Sequence, residues 1–433
     1  MKNYLILWAV AAMCGALLSC SSTSEENIEG EKKLVNMVSD PEPITLSAEQ
    51  QVFVNDNNKF TLNFLKTVNG KDTSGKSFIY SPLSITYVLG MVNDAATGIT
   101  EKELEETLGF HTGGIKAVND YCKKLIDGLP KVDKDVTLNI ANAIFLNKDY
   151  TLKEQFQQDM KTYYDAKAEA LDFKASSTLE HINGWCNDKT KGMIPKILNG
   201  VSPYVVSYLL NAIYFKADWT SKFDEKNTKT ETFTAASGAK EMPMMHQDVL
   251  IRYMKNDTYA AVNMPYGNGY WSMVVMLPEE GKTVDDIIAQ LATKGLEGFD
   301  YTEDLGSYYS TYEVDLKLPR YETDADTDNL GENGLIDVLK AMGIQLAFDS
   351  NFAEIPNMCN KLVYIDMMRQ KTKIKVNEEG SEAAAVTIAA MKECTSVGPE
   401  TTPKATFHAN RPFVYVILEA SSGVILFVGK FVG

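Results

Sequence analysis

The stretch "VNEEGSEAAAVTIAAMKECTSVG", from Val376 to Gly398, decides how the rest of the chain is read. At a period of two, Ser381, Ala383, Ala385, Thr387, Ala389 and Met391 share one face, all small or apolar and none charged. Glu382, Ala384, Val386, Ile388 and Ala390 share the other, with its single carboxylate at one end. No proline lies between Lys375 and Gly398, so every backbone N–H there can join a strand ladder. Gly380 supplies a pivot beside Glu378 and Glu379. An alanine-rich helix would explain the composition but not a proline-free, charge-free alternation. The segment then runs through Gly398 and Pro399 with little that could build a core, and reads as exposed chain fit to become a buried strand.

The surrounding chain is that of a soluble globular protein. Its 433 residues, 45% hydrophobic and 23% charged, are enough for a substantial core. A formal charge of −16 argues against nucleic acid as a partner, because phosphate binding needs a positive footprint. Beyond the N-terminus no run approaches the roughly 18 apolar residues of a membrane span. The N-terminus itself, Lys2 followed by an apolar run from Tyr4 to Leu18, reads as an export signal over residues 1–19. Leu17-Leu18-Ser19-Cys20 resembles a bacterial lipobox, which implies cleavage before Cys20 and lipid on its thiol and amine; an ordinary secretory signal with an incidental cysteine is the alternative. Residues 20–46, opening "CSSTSEENIEGEKK", read as an acidic flexible tether. The expected location is the bacterial cell envelope, lipid-anchored in the outer membrane and open to surface display.

The folded part is expected to begin at Ser47, where Ser47 and Gln50 have capping-box spacing ahead of Phe53, Phe60, Phe64 and Val68 at helical intervals. Ser81-Pro82 opens a second helix. Later runs such as "TLNIANAIFL", "VVSYLLNAIYF", "YWSMVVMLP", "RPFVYVILEA" and "GVILFVGKFV" are apolar on both faces and predict central strands, so the class is α+β. Gly267-Asn268-Gly269 predicts a hairpin turn. Cys122, Cys186, Cys359 and Cys394 are scattered, and no obligatory disulfide is expected. Histidine occurs only at 111, 181, 246 and 408, and no GxSxG, HExxH or Walker motif is present. The reading is therefore no enzyme, no metal site and no cofactor.

Several further segments stand in a fixed order: "SPLSITYVLGMVNDAATGIT" from Ser81, "IANAIF" from Ile140, "INGWCNDKTKGMIPKIL" from Ile182, "LLNAIYFKADWTSKFD" from Leu209 and "NRPFVYVI" from Asn410. With "MPYGNGYWSMVVMLP", "LKLPRYE", "LFVGKFV" and the opening stretch, they resemble the serpin family from about Glu49 to Gly433. The resemblance implies one domain over 47–433, with three β-sheets, eight or nine helices and an exposed reactive loop at about 378–406. It implies a monomeric suicide-substrate inhibitor of serine or cysteine endopeptidases. The target cleaves the loop, which then inserts into the large sheet while still carrying the acyl-linked protease. The same fold without inhibition, as a binding or scaffold protein, is the alternative.

The resemblance also assigns residues. Glu378, Glu379, Gly380, Ser381, Glu382, Ala383, Ala384 and Ala385 correspond to the loop hinge, whose inward-facing positions Ser381, Ala383 and Ala385 are free of the bulky, charged or proline residues often found in non-inhibitory relatives. Ser81, Ser84 and Asn211 correspond to a polar gate, or shutter, under the sheet. The gate position often held by His falls on Gln370, which does not titrate near neutral pH. Trp219 corresponds to the residue at the top of the sheet where insertion begins; a plain core anchor is the other reading. Counting along the loop puts the scissile bond at Cys394-Thr395, with Lys392-Glu393 as the chemical alternative for a trypsin-like pocket. A charge at 381 or 383 is expected to turn the inhibitor into a substrate while leaving the uncleaved fold nearly as stable.

Overall fold

Ser47 sets the first helix: its hydroxyl accepts the Gln50 N–H and the Gln50 side chain accepts the Ser47 N–H, opening α1 (Ala48–Lys71). Phe53, Phe60, Phe64 and Val68 all lie on its buried side. Ser81 caps α2 (Pro82–Ala95), whose first turn takes Pro82 without losing a bond. Every residue of α2 except Asp94 is buried, so this helix runs through the core and is not an amphipathic surface helix. The computed structural model describes residues 40–296, 311–381 and 402–433. Among these are eight α-helices, completed by α3 (Gly98–Leu108), α4 (Gly114–Gly128), α5 (Glu154–Tyr164), α6 (Ser177–Lys189), α7 (Val284–Lys294) and α8 (Leu335–Met342).

The strands are β1 (Phe78–Tyr80), β2 (Thr137–Asn147), β3 (Lys167–Leu171), β4 (Ser207–Asp218), β5 (Lys229–Ala235), β6 (Gly238–Lys255), β7 (Tyr259–Tyr266) and β8 (Trp271–Pro278). They continue with β9 (Thr311–Pro319), β10 (Tyr321–Asp326), β11 (Met368–Val376), β12 (Gly380–Ser381), β13 (Lys404–His408), β14 (Phe413–Glu419) and β15 (Val424–Phe431). One sheet has the order β10-β11-β12-β4-β2-β3. The other strands make a second sheet of β5, β6, β9 and β13 and a third of β6, β7, β8, β14, β15 and β1. These two share β6, which pairs with β9 over Met244–Arg252 and with β7 over Arg252–Lys255. Its 18 residues thus join two of the three expected sheets into one hydrogen-bonded network. All residues of β8, β14 and β15 are buried, as their two-sided apolar sequences require.

The turn between β7 and β8 has Gly267 and Gly269 at positive φ, where a side chain would strain the backbone. Cys122, Cys186 and Cys359 are buried and free. Among the described residues no helix is long and apolar enough to cross a membrane. Upstream of the boundary expected at Ser47, the chain already makes contacts with the core. Ile44 is buried in the core, its N–H donates to the Ser421 hydroxyl, and the Glu42 N–H donates to the Val132 carbonyl. Ile44 and Leu46, both packed on the core, are too short a pair after two prolines to mark an element in the sequence. Cys20, the signal segment and residues 20–39 of the tether lie outside the described residues.

Candidate functional site at the parting strands

β11 and β4 run parallel and are directly paired only at Met368–Lys371 with Leu209–Ala212. Towards the other end of both strands they part, and β12 stands between them. Gly380 and Ser381 pair antiparallel with Asp218 and Ala217 of β4, and Ser381 also pairs with Val376 of β11. Glycine is required here by proximity: a Cβ on Gly380 would lie 2.1 Å from the Ala217 carbonyl oxygen. Ser381 is fully buried, with its Oγ 2.6 Å from the Tyr266 hydroxyl. Tyr266 is itself buried, and burial raises its pKa far above the ordinary tyrosine value, so it remains a neutral hydrogen-bonding group.

The turn before β12 is clamped by main chain and side chain alike. The Trp219 N–H donates to the Glu379 carbonyl (2.8 Å), the Phe223 N–H to the Glu378 carbonyl (3.0 Å) and the Trp219 indole N–H to the Asn377 carbonyl (2.9 Å). Trp219 also stacks on Tyr266, ring centroids 4.3 Å apart and 11° from parallel. Trp219 is thus a buried anchor that also holds the turn before β12. Glu378 receives Arg320 Nε at 3.0 Å and Nη2 at 2.6 Å, and the Thr228 hydroxyl at 2.6 Å. Burial alone would raise the Glu378 carboxyl, but Arg320 and Thr228 hold it below the ordinary glutamate value. Glu379 pairs with Lys222, which also reaches Asp218. Burial opposes the Lys222 charge, yet the two carboxylates raise its pKa above the usual lysine value.

Where β11 and β4 are still joined, a buried polar cluster lies across the seam. The Gln370 amide donates to the Asn211 side-chain carbonyl (2.8 Å) and to the Ser81 carbonyl (2.9 Å), and Gln370 Oε1 accepts the Ser81 N–H (3.0 Å). The Ser81 hydroxyl donates to the Leu426 carbonyl at 2.7 Å and lies 3.2 Å from the Ser84 hydroxyl. Ser81, Ser84, Asn211 and Gln370 are thus brought together, and all are buried. Sequence reading missed Asn142, whose Oδ1 accepts from Asn211 at 2.8 Å, and Thr327, whose Oγ1 accepts the Gln370 N–H at 2.9 Å. It also missed Arg320, Thr228, Lys222 and Tyr266 around the hinge. For Asn142 a signal existed: "NAIF" at 142 and "NAIY" at 211 are matching strand fragments, and the antiparallel register sets the two asparagines opposite each other.

The serpin family model, described as serine protease inhibitor, matches residues 55–433. The chain belongs to the serpin family. An uncharacterised serpin-like protein of Thermococcus kodakarensis is 30% identical over 387 residues, covering 88% of this chain and 86% of that protein. Among solved structures, the thermophilic serpin tengpin in its native state matches with a TM-score of 0.75 at 26% identity, covering 90% of this chain and 96% of that one. Human thyroxine-binding globulin, solved with its hormone, matches with a TM-score of 0.75 at 27% identity, covering 89% of this chain and 99% of that one. Serpins are generally protease inhibitors and not catalysts. Of the residues that the family resemblance assigns to the hinge, Glu378, Glu379, Gly380 and Ser381 are placed as given above; Glu382, Ala383, Ala384 and Ala385 lie outside the described residues. So do both candidate scissile bonds, Cys394-Thr395 and Lys392-Glu393.

Proposed function

We propose that this serpin is a suicide-substrate inhibitor of serine endopeptidases, and of cysteine endopeptidases with the same acyl chemistry. The observation that carries the reading is β12: Gly380 and Ser381, near the start of the candidate loop, already occupy a strand position between β11 and β4. Continuing that register sets Ala383 opposite Phe215 and Ile374, and Thr387 opposite Asn211 and Gln370. Insertion beyond Ala385 must then break both the direct β11–β4 pairing and the Gln370–Asn211 hydrogen bond, which act as the gate. The small, uncharged alternate positions from Ser381 to Met391 suit a strand whose inner face enters a packed core.

The chemistry needs only the target's own nucleophile. Its serine oxygen or cysteine sulfur attacks the scissile carbonyl, the peptide C–N bond breaks, and the new amino terminus leaves with the proton. The loop stays esterified or thioesterified to the protease as it enters the sheet. A strand of about 15 residues adds a similar number of backbone hydrogen bonds, each worth roughly 0.5–1.5 kcal/mol net. Incubating the protein with a panel of serine and cysteine proteases should give a covalent complex stable on a denaturing gel. Cleavage by every protease with full release of its activity would contradict inhibition. That outcome would favour the alternative of a serpin-fold binding protein, in whose support stands the likeness to thyroxine-binding globulin.

The proposed setting is the bacterial cell envelope, with a lipid on Cys20 holding the monomer at the outer membrane through its acidic tether; the lipobox-like Leu17-Leu18-Ser19-Cys20 supports it. Cys20→Ser should shift the protein from the membrane to the soluble fraction. Unchanged membrane partition in that variant would overturn the anchor.

A further inference from the structure

Away from the loop hinge, three adjacent strands of the second sheet gather two histidines and two carboxylates that are far apart in sequence. Asp248 on β6 is directly opposite Asp315 on β9, and on its other side Asp315 is opposite Thr406 of β13. His246 Nε2 lies 2.9 Å from Asp315 Oδ1, and His408 Nε2 lies 3.0 Å from Asp315 Oδ2. Ligand atoms of His246, Asp248 and Asp315 all fall within 4.8 Å of one another. The sequence pointed to no metal site because it holds only four histidines and no ligand motif; the register of β6, β9 and β13 brings two of those histidines together without one.

Two carboxylates directly opposite on antiparallel strands repel unless a cation lies between them. Lys317, opposite His246 on the same face, is turned to Glu231 on β5, its Nζ held at 2.7 and 2.8 Å by the two carboxylate oxygens. One imidazole and two carboxylates form a donor set that takes a divalent first-row ion of the zinc class, with an open position for water. His246 and Asp315 side chains are each more than a third exposed, so an ion can reach them from solvent. We propose that His246, Asp248 and Asp315 bind a zinc-class divalent cation on this sheet, with His408 positioning Asp315 through its second oxygen. The site joins β6 to β9 directly. Through His408 it also reaches β13, the edge strand that follows the loop and is paired to β9 alone at five positions. Nothing in this site depends on whether the loop inhibits a protease.

The test is calorimetric titration of the full chain, made without a metal-affinity tag, with zinc chloride, and with cobalt(II) as a visible-absorption probe. One saturable site per chain is expected. His246→Ala, Asp315→Asn and the exposed-site variant Asp248→Asn should each weaken it at least tenfold. His408→Gln should keep the stoichiometry but weaken binding by about tenfold and move the cobalt bands, as loss of a positioning partner does. His181→Ala, on a different sheet, should bind as wild type does. No saturable binding up to millimolar zinc would overturn the site. So would wild-type affinity in folded Asp248→Asn, or loss of binding in His181→Ala.

Discussion

At Gln370 one uncharged amide closes the seam between two strands. It makes three side-chain hydrogen bonds in a fully buried position, to both backbone groups of Ser81 and to Asn211. Gln370→Ala leaves these partners unsatisfied, at roughly 1–3 kcal/mol for each buried group that finds no water. Denaturant unfolding should therefore show a loss of several kcal/mol, and wild-type stability would contradict the network. Gln370→His introduces a titration the native cluster lacks. Burial disfavours the imidazolium, so the folded pKa lies below the unfolded value of about 6.5. Stability is then full above about pH 6.5 and falls as pH drops through the folded value. The difference between variant and wild type in urea midpoint should widen from pH 8 to pH 5.5; a constant difference would show that the site does not titrate. At Gly380 the constraint is steric. Gly380→Ala must push the chain off the Ala217 carbonyl, so the Trp219 and Phe223 amides, which bond to Glu379 and Glu378, should exchange hydrogen faster.

At the scale of elements, β12 and its preceding turn behave as one device. Glu378 has a depressed folded pKa, so its contribution is complete above the unfolded value of about 4.5 and is lost as pH falls through the folded value. Glu378→Gln should accordingly flatten the acid limb of melting temperature against pH, while an unchanged limb would mean that the Arg320 pair adds nothing. Ser381→Arg acts on the uncleaved protein as well as on the cleaved one. Because Ser381 is already buried against Tyr266, arginine there expels the hinge before any cleavage, instead of leaving the uncleaved fold untouched. A buried unpaired charge costs several kcal/mol after relaxation. The variant should become a substrate, cut and released, with faster amide exchange at Ala217 and Asp218 in the intact protein as well. Trapping at wild-type efficiency would contradict insertion along this face.

Across the whole molecule, what could be read from sequence was what neighbours in sequence determine. The Ser47 and Ser81 caps, the two-sided apolar strands and the Gly267 turn are local, and each appears where its residues predict. Family resemblance put Ser81, Ser84, Asn211 and Gln370 in one cluster, and the four side chains do lie together; their role as a gate is part of the proposal. The partners of the hinge were not legible. Arg320 and Glu378 are 58 positions apart, and Thr228 and Glu378 are 150, so only the sheet order brings them together. The same holds for His246, Asp315 and His408, joined by parallel and antiparallel register and not by any motif.

The central claim is that the cut loop fills the slot that β12 only begins. Hydrogen exchange over residues 382–391, measured after a single cleavage beyond Met391, tests it most directly. Insertion predicts that these amides pass to the slow exchange of a central strand, together with protection at 213–216 of β4 and 372–375 of β11. If residues 382–391 instead exchange as a free peptide does while the cleaved protein stays folded, the loop does not enter the sheet and the account is wrong.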